Sequence, residues 1–377
     1  MILTRLKQIK SLVLLKVFSF ICLFLPKSNY WVISERGTDA RDNGWHFYNF
    51  IKTQHPEQKV YYIIDKSSAD YEKVKADAIQ YNSIKNYWVA ARAEKIISTH
   101  IGMFVPYVVG KPLKLLKSYQ NKFYFLQHGI SYNNLVFLHK KNFSTKLFAC
   151  VAKPEQEYAK SVYGHEDEVV KLVGFARYDR LTKGYSKRQI LLMPTWRKDV
   201  SNEKDFLNSE YYKQWQGLID NRKLIALLEE NELQLVFYPH YEVQKYIKHF
   251  VSSSQAIKIA SFADYDVQTL LKESCLLVTD YSSVFFDFAY MEKPVIYFQF
   301  DYDKFFGNQS TVPGYFDFKK DGFGRVCNTC DETVAEIETC IHNNFIPEEY
   351  YLKRIEEFFP LRDNNNCQRI FDAIESI

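Results

Sequence analysis

Residues 279–283, Thr-Asp-Tyr-Ser-Ser, carry side chains suited to anion binding and stand between an apolar run and a helical pattern. The apolar run, 275–279, predicts a strand. A helix that starts at Ser282 or Ser283 leaves its first N–H groups without intrahelical acceptors, and phosphate binds well at such a helix start. Asp280 can cap the helix or bind a hydroxyl group. A plain Asp/Ser cap without a ligand is the alternative.

A histidine follows the predicted strand at residues 123–127, in the dipeptide His128-Gly129. An imidazole at a strand tip can take a proton from a hydroxyl group at neutral pH. His128 is therefore a candidate general base, with Gly129 as the flexible residue beside it. A structural histidine in a loop is the alternative.

Basic side chains follow two further predicted strands. After the first of them, Gly174 allows a tight turn, and Arg177 can reach a phosphate or form an ion pair with Asp179. After the second, at residues 191–193, the sequence Pro-Thr-Trp-Arg brings the Arg197 guanidinium to a strand end. Arginine matches phosphate oxygens in a bidentate manner, so Arg197 is a candidate phosphate ligand.

A second histidine, His240, follows the predicted strand at 235–237. It can hydrogen-bond a phosphoryl oxygen or a leaving group. With Arg197, His128 and the segment around Asp280, it makes four polar groups that each follow a predicted strand. The carboxyl ends of parallel strands are where ligands bind in α/β sheets, so these four groups together predict a diphosphate pocket.

The elements that must position these groups alternate between short apolar runs and amphipathic stretches, which is the pattern of parallel α/β sheets. The first series of predicted strands covers residues 31–34, 60–64, 96–99, 123–127, 147–152 and 169–173. The second series covers residues 190–194, 233–239, 257–260, 275–279 and 294–298. Two α/β domains follow, with a ligand cleft expected at the carboxyl ends of both sheets.

The length of 377 residues also exceeds the usual size of a single core and favours two domains. A polar segment at 181–187, with Gly184, marks the expected break. We assign residues 1–29 to a membrane-associating segment, 30–183 to the first domain and 184–377 to the second. For the last predicted helix, 366–377, packing against the first domain is an alternative.

Composition excludes several classes of protein. The 47% of hydrophobic residues is that of a globular chain, and a net charge of +4 is too small for a dedicated nucleic-acid binder. Seven scattered cysteines suit reduced thiols in the cytoplasm better than a disulfide framework. Cys327 and Cys330 form one CxxC without a second pair, which favours a surface turn over a zinc site.

The N-terminus has a different character, because basic residues precede the apolar stretch 11–26. About 15 apolar positions, interrupted by Lys16, fall short of the roughly 20 residues that span a bilayer, so we expect this segment to lie in the membrane interface. A true span, a signal peptide and a buried helix are the alternatives, although no small-residue cleavage site follows. The flanking Arg5, Lys7 and Lys10 favour the anionic cytoplasmic leaflet, and thus a peripheral or monotopic protein.

Six motifs in their order along the chain resemble those of one family. They are SERGTDARDNGWHF (34–47), QHG (127–129), GFARYDRL (174–181), LLMPTWR (191–197), FYPH (237–240) and TDYSSVFFDFAYMEKPVIYF (279–298). Together they resemble the CDP-glycerol glycerophosphotransferase family of teichoic acid and capsule enzymes. The resemblance implies a GT-B fold, in which two Rossmann-like domains, an acceptor-side one and a donor-binding one, face each other across a cleft.

The resemblance also implies roles for individual residues. It makes His128 the general base and His240 the second essential histidine, although the proline that usually follows the latter is replaced by tyrosine here. Donor diphosphate-binding positions are matched by Arg197, Asp280, Ser282 and Ser283. Additional site candidates are Arg177, Asp179 and Gly129. The positions of Asp39, Arg41 and Asn43 match the family's N-terminal motif without an assigned role.

The reaction implied is transfer of glycerol phosphate, or another polyol phosphate such as ribitol phosphate, from a CDP-activated donor, with release of CMP. The acceptor is a hydroxyl group of a teichoic acid, a capsular polysaccharide or a lipid-linked precursor at the cytoplasmic face of the membrane. No cofactor or metal site is expected, although Mg²⁺ can bind loosely to the diphosphate and Asp301 and Asp303 are a weak candidate for it. The alternatives are a GT-B glycosyltransferase that uses a nucleotide sugar, and a non-catalytic membrane-associated scaffold.

Overall fold

The structure, a computed structural model, describes residues 2–106, 117–181, 186–200, 202–262, 264–307 and 312–377. The chain forms two compact units. The first unit comprises Met1–Ile130, Leu135–Arg180 and Pro360–Ile377, and the second comprises Ser131–Asn134 and Leu181–Phe359. The boundary expected between residues 183 and 184 lies outside the described residues. The final helical segment belongs to the first unit.

The first unit is built around a parallel sheet. Its strands are β1 (Tyr30–Ser34), β2 (Lys59–Ile64), β3 (Ala78–Gln80), β4 (Lys95–Ser98), β5 (Phe123–Phe125), β6 (Leu147–Cys150) and β7 (Val170–Leu172). Within the described residues, these seven strands lie in the order β3-β2-β1-β4-β5-β6-β7, and every neighbouring pair is parallel. The order reverses between β1 and β4, which is where ligands bind in doubly wound sheets.

Helices cover both faces of the first sheet. They are α1 (Ile2–Cys22), α2 (Asn43–Gln54), α3 (Ile84–Arg92), α4 (Lys117–Gln120), α5 (Lys153–Ser161) and, at the end of the chain, α14 (Asn366–Glu375). Side chains of α1 and α3 join the apolar cluster on one face, and side chains of α2 and α14 join the cluster on the other. Because both faces are covered, the strands are predominantly apolar, as is typical of a parallel sheet. None of the described helices combines the length and apolarity needed to cross a bilayer.

The second unit repeats this plan. Its strands are β8 (Gln189–Leu192), β9 (Gln234–Phe237), β10 (Ile257–Ile259), β11 (Leu276–Thr279), β12 (Val295–Phe298) and β13 (Gly324–Cys327). In the described part of the unit they form a parallel sheet in the order β10-β9-β8-β11-β12-β13. The order reverses between β8 and β11, so the two loops that follow these strands flank the switch point.

The helices of the second unit are α6 (Glu203–Asn208), α7 (Glu210–Ile219), α8 (Arg222–Glu230), α9 (Val267–Glu273), α10 (Val284–Tyr290), α11 (Tyr302–Gly307), α12 (Cys330–His342) and α13 (Glu349–Phe358). One face of the sheet packs on a cluster that contains Trp215 and Phe206. An aromatic group packs around Tyr132, whose ring contacts Phe285 and Phe316 and whose hydroxyl donates to the Tyr281 carbonyl at 2.6 Å. This bond anchors the short segment 131–134 in the second unit.

Gly174 marks the turn between β7 and the 3₁₀ helix Ala176–Arg180. Its φ of +80° lies in the left-handed region, and an added Cβ would meet the Asn366 side-chain oxygen at 1.8 Å. Asn366 begins α14, and its backbone N–H donates to the Asp179 carboxylate at 2.8 Å. Gly174 is therefore required both for the turn and for the docking of α14.

We expect Gly174→Ala to lower the free energy of unfolding by about 2–4 kcal/mol, because it adds a steric clash to a strained φ. Gly164 is a matched control, since its φ of +77° is similar but nothing lies within 4 Å of its added Cβ. Gly164→Ala should cost only about 1 kcal/mol. Urea unfolding measures both variants, and equal losses would show that the contact with Asn366 contributes nothing.

Candidate active site

The turn that presents His128 is held by the side chain of the residue before it. Gln127 has φ +58°, a left-handed conformation that is strained for a residue with a side chain. Its Nε2 donates to the Ala149 carbonyl at 2.7 Å and to Glu155 Oε1 at 3.0 Å. These bonds lie in the buried interior, so they hold the backbone directly before His128 in one conformation.

The backbone carbonyls of Gln127 and His128 accept hydrogen bonds from side chains. Asn43 Nδ2 donates to the Gln127 carbonyl at 2.8 Å, and Arg177 Nη1 donates to the His128 carbonyl at 3.1 Å. The same Arg177 nitrogen pairs with Asp42 Oδ1 at 2.9 Å. Arg177 is 6% exposed. In this structure it therefore supports the loop of His128, and the predicted alternative ion pair with Asp179 is not formed.

A buried carboxylate organises the loop that carries Asp42. Glu35 follows β1 and accepts backbone N–H groups from Arg41 at 3.2 Å, Asp42 at 3.0 Å and Trp45 at 2.9 Å. Burial, followed by the charge of Asp42, raises the pKa of Glu35 to about 8, and the three N–H donors oppose this shift. A single buried side chain thus folds the segment from which α2 starts.

His128 is exposed as a residue, and Gly129 beside it is buried. Desolvation by the surrounding protein lowers the pKa of His128 below its ordinary 6.5. Asp42 opposes this shift, while Arg177 and Arg36 add to it. A lowered pKa keeps the imidazole uncharged at neutral pH, which is the state a general base requires.

In the second unit, one guanidinium joins the loops that follow three strands. Arg197 Nε and Nη2 donate to both carboxylate oxygens of Asp301, at 2.7 and 3.0 Å, and Nη1 lies 2.8 Å from Asp280 Oδ2. Nη1 also donates to the Thr195 carbonyl at 2.7 Å. Arg197 follows β8, Asp280 follows β11 and Asp301 follows β12, so the ion cluster fixes three neighbouring strand ends.

This cluster is closed to solvent. Arg197 is 7% exposed, and its guanidinium lies over the rings of Tyr281 at 5.1 Å and Phe305 at 5.0 Å. Burial opposes the charge on Arg197, but Asp280 and Asp301 outweigh it and raise its pKa. Since most of its N–H groups are used internally, the structure favours a supporting role for Arg197 over the direct diphosphate contact predicted from the sequence.

Asp280 also faces inward. Its side chain is fully buried, and Oδ1 accepts the backbone N–H groups of Thr195 at 2.8 Å and Tyr281 at 2.6 Å. Burial raises the pKa of Asp280, against the opposing effect of Arg197. A carboxylate repels phosphate, so Asp280 is placed to shape the loop, and the anion-binding capacity lies in the residues that follow it.

Backbone N–H groups supply that capacity. Those of Ser282, Ser283 and Val284 have no hydrogen-bond acceptor among the described residues. Ser283 is the residue before α10, with φ −61°, and its side chain makes no capping hydrogen bond. The predicted Asp/Ser cap is therefore absent, and three consecutive donors remain available to an anion.

His240 lies in the loop after β9 and is partly buried. The backbone N–H of Glu242 donates to His240 Nδ1 at 3.3 Å. The Trp196 ring stacks on the His240 ring with centroids 6.2 Å apart. An accepting Nδ1 assigns the proton of the neutral ring to Nε2, so His240 can donate one hydrogen bond to a phosphoryl oxygen.

Comparison with known proteins identifies the family. A model of the family described as CDP-Glycerol:Poly(glycerophosphate) glycerophosphotransferase matches residues 15–376. The chain belongs to this family. The minor teichoic acid biosynthesis protein GgaB of Bacillus subtilis (strain 168) is 33% identical over 98% of this chain and 42% of GgaB. The teichoic acid poly(glycerol phosphate) polymerase of the same strain is 26% identical over 77% of this chain and 41% of the polymerase.

This glycerophosphotransferase family member thus spans less than half the length of these two relatives. Among solved structures, the wall teichoic acid polymerase TagF matches with a TM-score of 0.71 at 16% identity, over 99% of this chain and 96% of that one. At this identity the likeness shows the fold. It confirms the α/β class of GT-B type that the sequence predicted.

Several residues of the site have no role predicted from the sequence. Glu35 and Gln127 stood inside quoted motifs without a role, and His100 follows β4 just as His128 follows β5. The rule of polar groups after strands would have identified His100. Asp301 was a weak metal candidate and instead pairs with Arg197. Within the described residues, no group of three or more metal-ligating side chains is arranged to hold an ion.

We expect Arg197→Met to lower the free energy of unfolding by about 3–5 kcal/mol at pH 7, because it leaves two buried carboxylates without their cation. Burial raises the folded-state pKa of Asp280, so the penalty is absent below its unfolded pKa and grows as pH rises through the folded pKa. The deficit measured by urea unfolding should therefore be smaller at pH 5 than at pH 8.

Lys75→Met is the control, because the side chains of Lys75 and its partner Glu72 are 61% and 75% exposed and lie 3.2 Å apart. An exposed ion pair contributes at most about 1 kcal/mol. A loss at Arg197 no larger than that at Lys75 would contradict the structural importance of the buried cluster.

Proposed function

We propose that this protein transfers glycerol phosphate from CDP-glycerol to a hydroxyl group of a cell-wall polymer or its lipid-linked precursor, and releases CMP. The observation that carries the proposal is the family match over residues 15–376, with His128 and His240 both present after parallel strands. GgaB and the poly(glycerol phosphate) polymerase, the two relatives from Bacillus subtilis, are teichoic acid synthesis proteins, which supports the same class of polymer.

In the proposed reaction, His128 accepts the proton of the acceptor hydroxyl. The hydroxyl oxygen attacks the β-phosphorus of the donor, the one that carries glycerol. The bond from this phosphorus to the oxygen bridging it to the α-phosphate breaks, and CMP leaves with the bridging oxygen. A phosphodiester forms between glycerol and the acceptor. CMP leaves readily, so the main task of the protein is positioning and charge neutralisation.

Charge neutralisation is assigned to the second unit. The N–H groups of Ser282, Ser283 and Val284 donate to the diphosphate oxygens, and His240 donates through Nε2 to a phosphoryl oxygen that gains charge in the transition state. Arg197 and Asp280 act as positioning residues, because their ion pair holds the loop that carries these N–H groups. We assign no cofactor or resident metal to this reaction.

The polyol and the acceptor are assigned only by class. CDP-glycerol is the proposed donor and CDP-ribitol the close alternative, since the diphosphate contacts are common to both. Teichoic acid is the proposed acceptor class, and a capsular polysaccharide would present the same hydroxyl chemistry. Neither the backbone N–H groups nor the histidines distinguish one transfer from many.

We further propose that α1 places the protein on an anionic membrane surface as a peripheral protein, at the cytoplasmic face. One side of α1 is buried, with Ser11 Oγ 2.8 Å from Tyr87 Oη and Leu15 fully covered. The other side carries an exposed apolar stripe at helical spacing. Its members are Leu6, Ile9, Val13, Val17 and Phe20, which are 47–62% exposed.

The basic residues beside this stripe indicate that it binds an anionic surface. Arg5, Lys7, Lys10 and Lys16 are exposed on the same helix, and the described part of α1 has no acidic residue. An apolar stripe flanked by cations is typical of a helix that lies in the headgroup region of an anionic bilayer.

We expect purified protein to release CMP from CDP-glycerol only when an acceptor is present, and His128→Ala to reduce the rate by about 10²–10⁴-fold through loss of the general base. CDP-ribitol offered in parallel identifies the polyol. His342→Ala is the matched control, because His342 is an exposed residue at the end of α12. The released nucleotide is identified by chromatography.

Release of CDP, with the polyol bound to the acceptor through carbon, would overturn attack at phosphorus. Turnover of a nucleotide sugar, without turnover of either CDP-polyol, would favour the glycosyltransferase alternative. Donor binding without any turnover would favour the non-catalytic scaffold.

We expect the double variant Val13→Asp/Phe20→Asp to lose most of its binding to phosphatidylglycerol vesicles, because it places two carboxylates in the apolar stripe. Co-sedimentation measures the bound fraction. Ile346→Asp is the matched control, since Ile346 is 66% exposed and belongs to the second unit. Equal binding by the wild type and the double variant, or no binding by the wild type, would contradict the membrane role of α1.

A further inference from the structure

Another histidine, His100, lies against the proposed general base, His128. The rings of His100 and His128 are stacked, with centroids 4.6 Å apart and planes inclined by 14°. His100 comes two residues after β4, and β4 pairs with β5, the strand that leads to His128. Because β4 and β5 are parallel neighbours, both imidazoles lie at the carboxyl end of the sheet.

The His100 ring is fixed by its own neighbours. Thr99 Oγ1 lies 2.8 Å from His100 Nδ1. The Ser98 hydroxyl accepts the His100 backbone N–H at 3.1 Å and donates to the His100 carbonyl at 2.9 Å. Ser98 in turn bonds the Ser34 hydroxyl, 3.3 Å away on β1. The main chain of His100 is thus tied to two strands of the sheet, and its ring is held by Thr99.

His100 is also uncharged. Burial, with smaller effects of the neighbouring His128 and Arg36, lowers the pKa of His100 to about 2. An imidazole that stays neutral throughout the working pH range can stack on His128 without adding a charge beside it. Its contribution to the base is therefore contact and exclusion of water.

We propose that His100 is a positioning residue for His128: its ring holds the imidazole of the base in one orientation and shields one face of it from water. This inference rests on the proposed function, because it concerns the base of that reaction. It adds a residue whose side chain acts on the acceptor only through His128. The backbone bonds of Gln127 and Arg177 hold the main chain at the turn, and His100 holds the ring.

The charged groups that face His128 determine how removal of His100 changes the pKa of His128. Asp42 raises the pKa of His128, whereas Arg177 and Arg36 lower it, after the larger effect of desolvation. Loss of the His100 ring reduces desolvation and leaves these three charges in place. The pKa of His128 then rises toward its ordinary value, and the acid limb of the activity profile moves to higher pH.

The test compares His100→Ala, His100→Phe and the control His342→Ala in the full chain. We expect His100→Ala to lower kcat for CMP release by about tenfold to a hundredfold, since misplacement of a catalytic group by a fraction of an ångström has effects of this size. The KM for CDP-glycerol should change by less than about twofold, because uniform binding of the donor is untouched. His100→Phe retains a flat ring and should recover most of the loss.

A second readout does not need turnover. NMR titration of the His128 ring in protein labelled at histidine should show a higher pKa in His100→Ala than in the wild type, with His100→Phe in between or unchanged. If neither kcat nor the titration of His128 differs between His100→Ala and His342→Ala, the inference is overturned. If no variant or wild type releases CMP, the proposed function fails, and the titration alone decides whether His100 controls His128. Should His100→Ala fail to fold, an unchanged titration in His100→Gln would overturn the inference.

Discussion

The ion cluster of Arg197, Asp280 and Asp301 is the interaction on which the proposed donor site depends. Parallel strands all end at the carboxyl end of the sheet. The backbone polar groups there need hydrogen-bond partners, and the following loops supply them. Here one guanidinium ties the loops after β8, β11 and β12 together. Because Asp280 also accepts the N–H groups of Thr195 and Tyr281, the chain turns at that point and leaves the next three N–H groups unused.

The first unit meets the same constraint with different side chains. Glu35 accepts three N–H groups after β1, and Asn43 and Arg177 bind the carbonyls around the turn after β5. Buried ionisable groups such as Glu35 and Arg177 add little net stability, since their desolvation offsets their attraction. Their value lies in geometry: they allow a strained residue, Gln127, to present a histidine at the surface.

Much of the fold could be predicted from the sequence. All eleven predicted strands are present, because each is a run of apolar residues bounded by polar ones. The strands β3 (Ala78–Gln80) and β13 (Gly324–Cys327) were missed. Both lie at a sheet edge, are short and include polar or charged residues, so neither length nor hydrophobicity distinguishes them from loops. Their pairing depends on the neighbouring strand rather than on local preference.

The sequence indicates which polar residues follow the strands, but not the direction of their side chains. A polar residue after a strand can face a ligand or the interior, and sequence spacing does not distinguish the two. Arg197, Asp280 and Arg177 turn inward because each finds an ion-pair partner far away in the chain, which only the tertiary structure reveals. The donors that remain for an anion are backbone N–H groups, which every residue except proline carries and no motif can single out.

The most direct measurement is the affinity of CDP-glycerol for Ser283→Pro and Ser283→Ala, determined by calorimetry without an acceptor. The φ of Ser283, −61°, fits proline, so the first variant removes one backbone N–H and the second only the hydroxyl. We expect Ser283→Pro to weaken CDP-glycerol binding by about tenfold or more, because a hydrogen bond to a charged group is lost. The affinity of Ser283→Ala should stay close to that of the wild type. Equal affinities for Ser283→Pro and the wild type would contradict this expectation.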